Sequence, residues 1–419
     1  MHILFLSDNF PPEVNAPASR TFEHCREWVR AGHTVTVITC APNFPQGRVH
    51  DGYRNRLYAR ERMDGVDVVR VWSYVTANEG ILKRSLDYLS YAGMATIAAL
   101  FVRRPDIVVA TSPQFFTAVA GYVVSGFKFR PFVFELRDLW PESIRAVGAL
   151  KDGFVLSTLE RLELFLYRRA KAVIAVTQAF RANLTARGIA PDKIHVITNG
   201  ADLSRFQPRA KSEELASRLG LSGKFVAGYI GTIGMAHAIE TLLEAAKLLR
   251  DMPGGADVRI LILGDGARKA ALKAQAQEMG LDNVLFVDSV PKSEVPAYWA
   301  LLDATIIHLK KTELFTTVIP SKMFESMAMG VPILHGVAGE SADIVETEGA
   351  GLVFEPENAP VLAADILKLA GDPALRARLS ANGLAAAKNY DRTVLAGRML
   401  AILQSLVQSG GAKAEEGRP

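Results

Sequence analysis

The chain has little that could carry redox, metal or hydrolytic chemistry. Among its 419 residues only Cys25 and Cys40 are cysteines. They form no Cys-x-x-Cys pair, so neither a disulfide framework nor a thiolate metal site is expected, and a reduced, cytoplasmic setting is. The eight histidines include no pair at zinc-ligand spacing, and no metal or resident cofactor is expected. There is no Asp-x-Asp, no Gly-Lys-Ser/Thr phosphate loop and no Gly-x-Ser-x-Gly elbow, which sets aside a P-loop kinase and a serine hydrolase. Residues 1–7 lack a basic lead and read as a first strand rather than a signal peptide. Nor is there a run fit to cross a bilayer. The longest uncharged stretch, 107–127, is broken by Thr111-Ser112-Pro113-Gln114 into a strand and a helix.

What is present is the composition of a folded, soluble chain, 49% hydrophobic and 22% charged, too long for one ordinary core. Charge is uneven: residues 1–200 hold 25 Lys+Arg against 18 Asp+Glu, leaving 23 against 26 beyond them. A basic first half suits an anionic partner, an inner-membrane surface rather than nucleic acid. Residues 81–102 fit that reading, with Lys83-Arg84 and Arg103-Arg104 at the ends of an apolar body. A buried helix with basic ends would look the same.

Apolar, β-branched runs at 2–7, 34–40, 66–71, 107–111, 132–136, 172–176 and 193–197 alternate with helical or loop sequence. A second series follows at 225–230, 258–263, 284–287, 304–308, 331–334 and 351–354. Alternation of this kind predicts α/β architecture, two doubly wound parallel sheets in tandem. The expected domains are 1–205 and 206–390, with a terminal helix at 391–407 packing back on the first and a disordered tail at 408–419.

Ligands of such sheets bind beyond the carboxyl ends of strands, which singles out the loops there. They are Asp8 to Asn15; Arg137-Asp138-Leu139-Trp140-Pro141-Glu142; Gly231-Thr232-Ile233-Gly234; Gly264-Asp265-Gly266; and the helix start at Pro320-Ser321-Lys322. The glycines admit close backbone approach to a ligand, or are plain strand-to-helix turns. Arg137-Asp138 is a charged pair after a largely apolar strand, either functional or a salt bridge. Trp140 either covers a sugar face or caps the core. Ser321 and Lys322 in a first helical turn offer outward N–H groups and a full charge to an anion, and Glu325 one turn on suits sugar hydroxyls. Together they suggest the pyrophosphate and ribose of a nucleotide sugar.

The order of the two domains, Asn199-Gly200-Ala201-Asp202 with Phe206, the Gly231 loop, Gly264-Asp265-Gly266 and Glu325-Ser326-Met327-Ala328-Met329-Gly330-Val331-Pro332 resemble the retaining GT-B glycosyltransferases of family four. Ser7-Asp8-Asn9-Phe10-Pro11-Pro12-Glu13 with the Arg137 to Glu142 motif is similar to the bacterial fucosamine transferase branch of surface-polysaccharide assembly. The resemblance implies two Rossmann-like domains facing a central cleft. It implies a nucleotide-sugar donor, UDP-linked, and a glycolipid or polyprenyl-diphosphate-linked acceptor. The donor set it implies is Asn15, Thr232, Gly234, His237, Gly264, Asp265, Gly266, Val290, Thr317, Ser321, Lys322 and Glu325. Arg137, Asp138 and Lys322 would be catalytic, and Asn9, Glu13, Arg20 and Trp140 would face the acceptor. Four positions depart from the family pattern. Thr317 stands where a glutamate is usual, Thr232 and His237 replace a phosphate-holding arginine and lysine, and Arg137 replaces a histidine. Lys322 is the nearest substitute for the missing cations. Alternatives on a two-domain scaffold are a sugar-nucleotide epimerase, an idle binding module, and a nicotinamide oxidoreductase, suggested by the Gly228 to Gly234 glycines and Tyr167-Arg168-Arg169-Ala170-Lys171.

Overall fold

The structure, a computed structural model, describes residues 1–419 apart from 14, 45, 77–80, 113, 141–152 and 416–419, with backbone alone for 81–82 and 410–415. It divides into two units, residues 1–198 with 392–419 and residues 199–391. The first runs β1 (His2–Leu6), α1 (Ala16–Arg30), β2 (Thr34–Cys40), β3 (Tyr58–Met63), β4 (Val66–Val71), α2 (Ile81–Leu100), β5 (Ile107–Thr111), α3 (Phe115–Lys128), β6 (Phe132–Leu136), α4 (Phe154–Arg169), β7 (Ala172–Ala175), α5 (Gln178–Ala186) and β8 (Ile194–Val196). Its sheet has the order β3-β4-β2-β1-β5-β6-β7-β8. Every pairing is parallel except that of β3 with β4. The inner strands are apolar without alternation because helices cover both faces of the sheet.

The second unit runs α6 (Glu213–Arg218), β9 (Phe225–Ile230), α7 (Glu240–Asp251), β10 (Val258–Leu263), α8 (Lys269–Glu278), β11 (Val284–Val287), α9 (Val295–Trp299), β12 (Ala304–His308), α10 (Lys322–Met329), β13 (Ile333–Gly336), α11 (Glu340–Thr347), β14 (Gly351–Val353), α12 (Ala359–Gly371) and α13 (Pro373–Ala387). Its sheet, in the order β11-β10-β9-β12-β13-β14, is parallel throughout. The chain then returns to the first unit as α14 (Arg392–Glu415). There Leu395, Ala396, Met399 and Leu403 join the core beneath β1 and α1, and the Trp28 indole N–H donates to the Ala396 carbonyl at 2.9 Å.

Two expected limits move. The first unit ends at 198 rather than 205. Ala201 bridges to Asp391, and Phe206 is buried in the second unit's core, so the Asn-Gly stretch belongs to that unit. The tail expected to be disordered from 408 continues as helix to Glu415. The helix is already nucleated by its buried turns, so each further residue adds a backbone hydrogen bond without a new nucleus, which offsets the poor helix propensity of Gly410 and Gly411. Residues 416–419 of that tail lie outside the described residues, as do Pro113, Pro141 and Glu142 of the motifs above. The edge strand β3 escapes the sequence reading because Tyr-Ala-Arg-Glu-Arg-Met is polar. Its signal was the Asp64-Gly65 turn to β4, with φ of +46° and +85°, the preferred pair for a tight hairpin.

Candidate functional site

In the second unit, the candidate residues gather at the carboxyl ends of β9 and β10. After β9 the chain turns at Gly231, φ +144°, and its next residues lie flat on the loop that follows β10. The Gly231 amide donates to the Leu263 carbonyl at 2.9 Å, and the Ile233 amide to the Asp265 carbonyl at 2.8 Å. A Cβ on Gly264 would sit 1.9 Å from the Gly231 carbonyl oxygen, and one on Gly266 would sit 2.3 Å from that of Ile233. These two glycines are therefore required by loop-on-loop packing, ligand or none. Asp265 is turned on its own loop, its Oδ1 accepting the Gly266 amide at 2.7 Å.

Gly231 has a different reason. A Cβ there would lie 2.7 Å from the Lys322 Nζ. The sequence predicts an outward Lys322 in a helix begun by Pro320. Instead α10 begins at Lys322 itself, after Ser321, and the side chain points inward under the Gly231 loop. Its Nζ lies 3.7 Å from the centroid of the Tyr229 ring. That ammonium is enclosed and has no hydrogen-bond partner among the described residues. Burial pulls its pKa down to about 7, with only the Glu325 carboxylate acting the other way. The first-turn N–H groups are also less open than expected. The Met323 amide donates to the Pro320 carbonyl at 3.0 Å and the Phe324 amide to that of Ser321 at 3.1 Å.

Around the ammonium, burial and then the Lys322 charge bring His237 down to about 4, so its ring is neutral, with Nδ1 buried and unpartnered among the described residues. His308 fixes that turn by donating from Nδ1 to the His237 carbonyl at 2.9 Å while its Nε2 accepts the Glu357 amide at 2.8 Å. The Tyr229 hydroxyl donates to the Thr232 carbonyl at 2.6 Å. Tyr229 is a residue that sequence reasoning passed over as strand filler. A tyrosine near the carboxyl end of a strand that is otherwise wholly apolar was the available signal. Gly234 opens the turn that carries His237. Thr317 donates to the Leu314 carbonyl at 3.0 Å, inside its own turn. Val290 packs against the core.

In the first unit, a polar cavity of about 250 Å³ opens past the ends of β1 and β2, where Asp8, Asn9, Glu13 and Asn15 meet Arg84, Asp87 and Tyr88 of α2. Glu13 is buried. Its Oε1 accepts the amides of Asn43 and Phe44 at 2.8 and 2.9 Å, and Oε2 has no partner among the described residues. Burial raises the pKa of Asp8 and Glu13. Burial, then the carboxylates of Asp8 and Glu13, raise Asp87 to about 7. The α2 residues were missed because the helix reads as apolar. A lone aspartate inside it was the clue. Asn15, expected at the donor, is the N-cap of α1, its Oδ1 accepting the Ala18 amide at 2.8 Å while its amide donates to Asn9.

The remaining first-unit candidates are built into the scaffold. Arg20, expected at the acceptor, is buried and spends its guanidinium on Glu135 and on the carbonyls of Ile197 and Thr198. Glu135, concealed in an apolar strand, is the partner that the sequence reading lacked. Burial alone would raise its pKa, but the guanidiniums of Arg20 and Arg137 hold it below the usual carboxylate range. Arg137 lies half-buried beside it, its pKa lowered by desolvation to about 10 and so still charged at neutral pH, and donates to the Pro17 carbonyl at 3.2 Å. Asp138 follows it, its amide on the Ser112 hydroxyl at 3.3 Å. Trp140 stacks on Phe115 with centroids 4.6 Å apart, so it caps the core. Tyr167 and Lys171 make no catalytic pair, for the Tyr167 hydroxyl is buried and donates to Glu163 at 2.8 Å.

Residues 15–200 match the family described as glycosyl transferase 4-like domain, and residues 211–385 match glycosyl transferases group 1. A putative colanic acid biosynthesis glycosyl transferase, WcaI of Escherichia coli, is 28% identical over 87% of this chain and 91% of its own length. A GDP-mannose-dependent alpha-mannosyltransferase of Mycobacterium tuberculosis is 26% identical over 84% of each. Among solved structures, sucrose-phosphate synthase of Thermosynechococcus elongatus superposes with a TM-score of 0.76 at 17% identity, covering 97% of this chain and 99% of that one. HepE of Anabaena, in complex with UDP, gives 0.69 at 20%, covering 97% and 100%. These likenesses show the GT-B fold.

Proposed function

The chain belongs to the group 1 glycosyltransferases, with a glycosyl transferase 4-like first unit, and from that premise we propose that Lys322 receives the diphosphate of a UDP-linked donor. The sugar is an N-acetylated deoxyhexosamine such as N-acetylfucosamine. It passes with retention to a lipid-linked or lipopolysaccharide acceptor on the cytoplasmic side of the inner membrane. The observation that carries the donor half is the enclosed Lys322 ammonium, unpartnered among the described residues, beside a neutral histidine and the face of a tyrosine. A cation so placed is costly unless an anion arrives. A diphosphate supplies that anion, and its charge restores the proton that burial removes.

The bond that breaks joins the anomeric carbon to a diphosphate oxygen, which departs with the electron pair. Negative charge grows on that oxygen, and a preformed cation stabilises it most where water is excluded. Glu325, one turn along α10, is suited to accept ribose hydroxyls. The cavity at Asp8, Glu13 and Asp87 is the acceptor's counterpart, with carbonyl and carboxyl oxygens for sugar hydroxyls. The relative's role in colanic acid assembly supports a surface-polysaccharide product.

The test is Lys322→Ala beside Arg137→Ala in a transfer assay. The first should lower turnover by at least about a hundredfold, the scale of one lost preorganised donor. Calorimetry of UDP binding near pH 7.5 in buffers of different ionisation enthalpy should show proton uptake that the variant lacks. Near-normal turnover in Lys322→Ala with collapse in Arg137→Ala would move the role to the arginine.

A further inference from the structure

The helix α2 is two-faced in an unusual sense. Tyr91, Ala95, Ala98 and Ala99 face the core, yet the opposite side is also apolar. Leu86, Leu89, Ile97 and Leu100 lie on one stripe, about half exposed each, from 47% to 54%. A water-facing stripe would ordinarily be charged, so the structure departs from the buried helix that the sequence equally allowed.

The stripe runs into three phenylalanines. Phe101 is 72% exposed, Phe127 64% and Phe129 82%. They are held together because Lys128 Nζ donates to the carbonyls of Leu100 and Val102, at 3.2 and 2.9 Å, while Arg104 Nε donates to the Lys128 carbonyl at 3.1 Å. Phe129 caps α3 with φ +52°, a position where glycine is the usual residue. That strain serves no packing, since the ring is in solvent.

We infer that the outer stripe of α2 and the cluster of Phe101, Phe127 and Phe129 seat the first unit in the headgroup layer of an anionic lipid bilayer. Among the described residues no helix is long and apolar enough to cross a membrane, so the mode is interfacial. Arg104 and Lys128 sit among the rings through the bonds just given, Arg103 and Arg130 adjoin them in the chain, and Lys83 and Arg84 open the helix. Apolar rings flanked by cations fit lipid tails beneath anionic headgroups. A second copy of the chain fits worse, because a two-fold contact would bring these basic rims face to face. The first turns of α2 also supply Arg84, Asp87 and Tyr88 to the first-unit cavity. A seated α2 therefore holds the cavity at headgroup level, where a lipid-linked acceptor could present its sugar. This last link rests on the reading of that cavity as the acceptor site.

The experiment is flotation of the full chain with liposomes of phosphatidylglycerol and phosphatidylethanolamine, against pure phosphatidylcholine, at low and high salt. The native chain should float with the anionic vesicles alone and be released by salt. Phe101→Ser, Phe127→Ser and Phe129→Ser together should lower partitioning at least about tenfold. Arg103→Glu with Arg104→Glu should abolish the preference for anionic lipid. No flotation of the native chain, or flotation of the triple variant equal to it, overturns the inference. So does a native dimer that the triple variant dissolves without any lipid binding. UDP calorimetry on the same proteins keeps the two readings apart. If the native and triple proteins float as expected but neither binds UDP, the donor reading has failed and the docking surface stands. UDP binding without flotation is the reverse.

Discussion

Two side chains in this protein are brought near the middle of the pH scale by burial, from opposite directions, and each makes a prediction. Asp87 is raised to about 7 by burial and by the carboxylates of Asp8 and Glu13. The folded state therefore keeps a proton that the unfolded chain releases near pH 4. Stability from that proton is present below about pH 4 and is lost as pH climbs through 7. Asp87→Asn should accordingly raise the melting temperature at pH 8, with a smaller gain at pH 5, read by thermal denaturation at the two values. Lys322, lowered to about 7, has the contrary sign. Its burden on the unliganded fold is greatest below 7 and fades as pH rises toward 10. The carboxylate of Glu325 acts against that shift and favours the charged lysine. Glu325→Gln should weaken UDP binding markedly with the fold intact, and unchanged affinity by calorimetry would remove the ribose role.

At the scale of elements, the paired loops after β9 and β10 behave as one body because their glycines interlock. Gly264→Ala would place a methyl group 1.9 Å from the Gly231 carbonyl oxygen, at a φ of +149°. Backbone strain alone should cost about 1–3 kcal/mol. Lower thermal stability and weaker UDP binding should appear together, and loss of neither would show that the loops are independent. The same region marks how far the sequence could be read. Parallel strands were legible because strands buried on both faces are apolar from end to end, and the glycines were legible as turns after them. That Lys322 turns inward was not, since a solvated and a buried lysine are spelled alike and only Gly231, ninety-odd positions earlier, records the difference. Arg20 failed for a related reason, its partners being Glu135 and two carbonyls at 197 and 198 that no local pattern links to it. The apolar body of α2 was readable, but which of its faces met water was not.

The whole molecule is a chain in which one unit is finished by residues that follow the other. Helix α14 gives Leu395, Met399 and Leu403 to the core under β1 and α1, accepts the Trp28 N–H and pairs Arg392 with Glu23. A protein ending at residue 391 should lose the first unit while keeping the second. Limited proteolysis of it should leave a resistant fragment close to 199–391, and a protected first unit would refute the dependence. This arrangement also dictates a timetable during synthesis. When residue 198 leaves the ribosome, one face of its sheet is covered only in part, by α1, and the helix that completes the cover is made only after the whole second unit has been translated, on the order of ten seconds later. Throughout that interval Ile3, Phe5 and Trp28 await residues not yet polymerised. The nascent protein is thus an aggregation risk at its amino end while its later half folds first, and the last turns to emerge close a structure begun by the first.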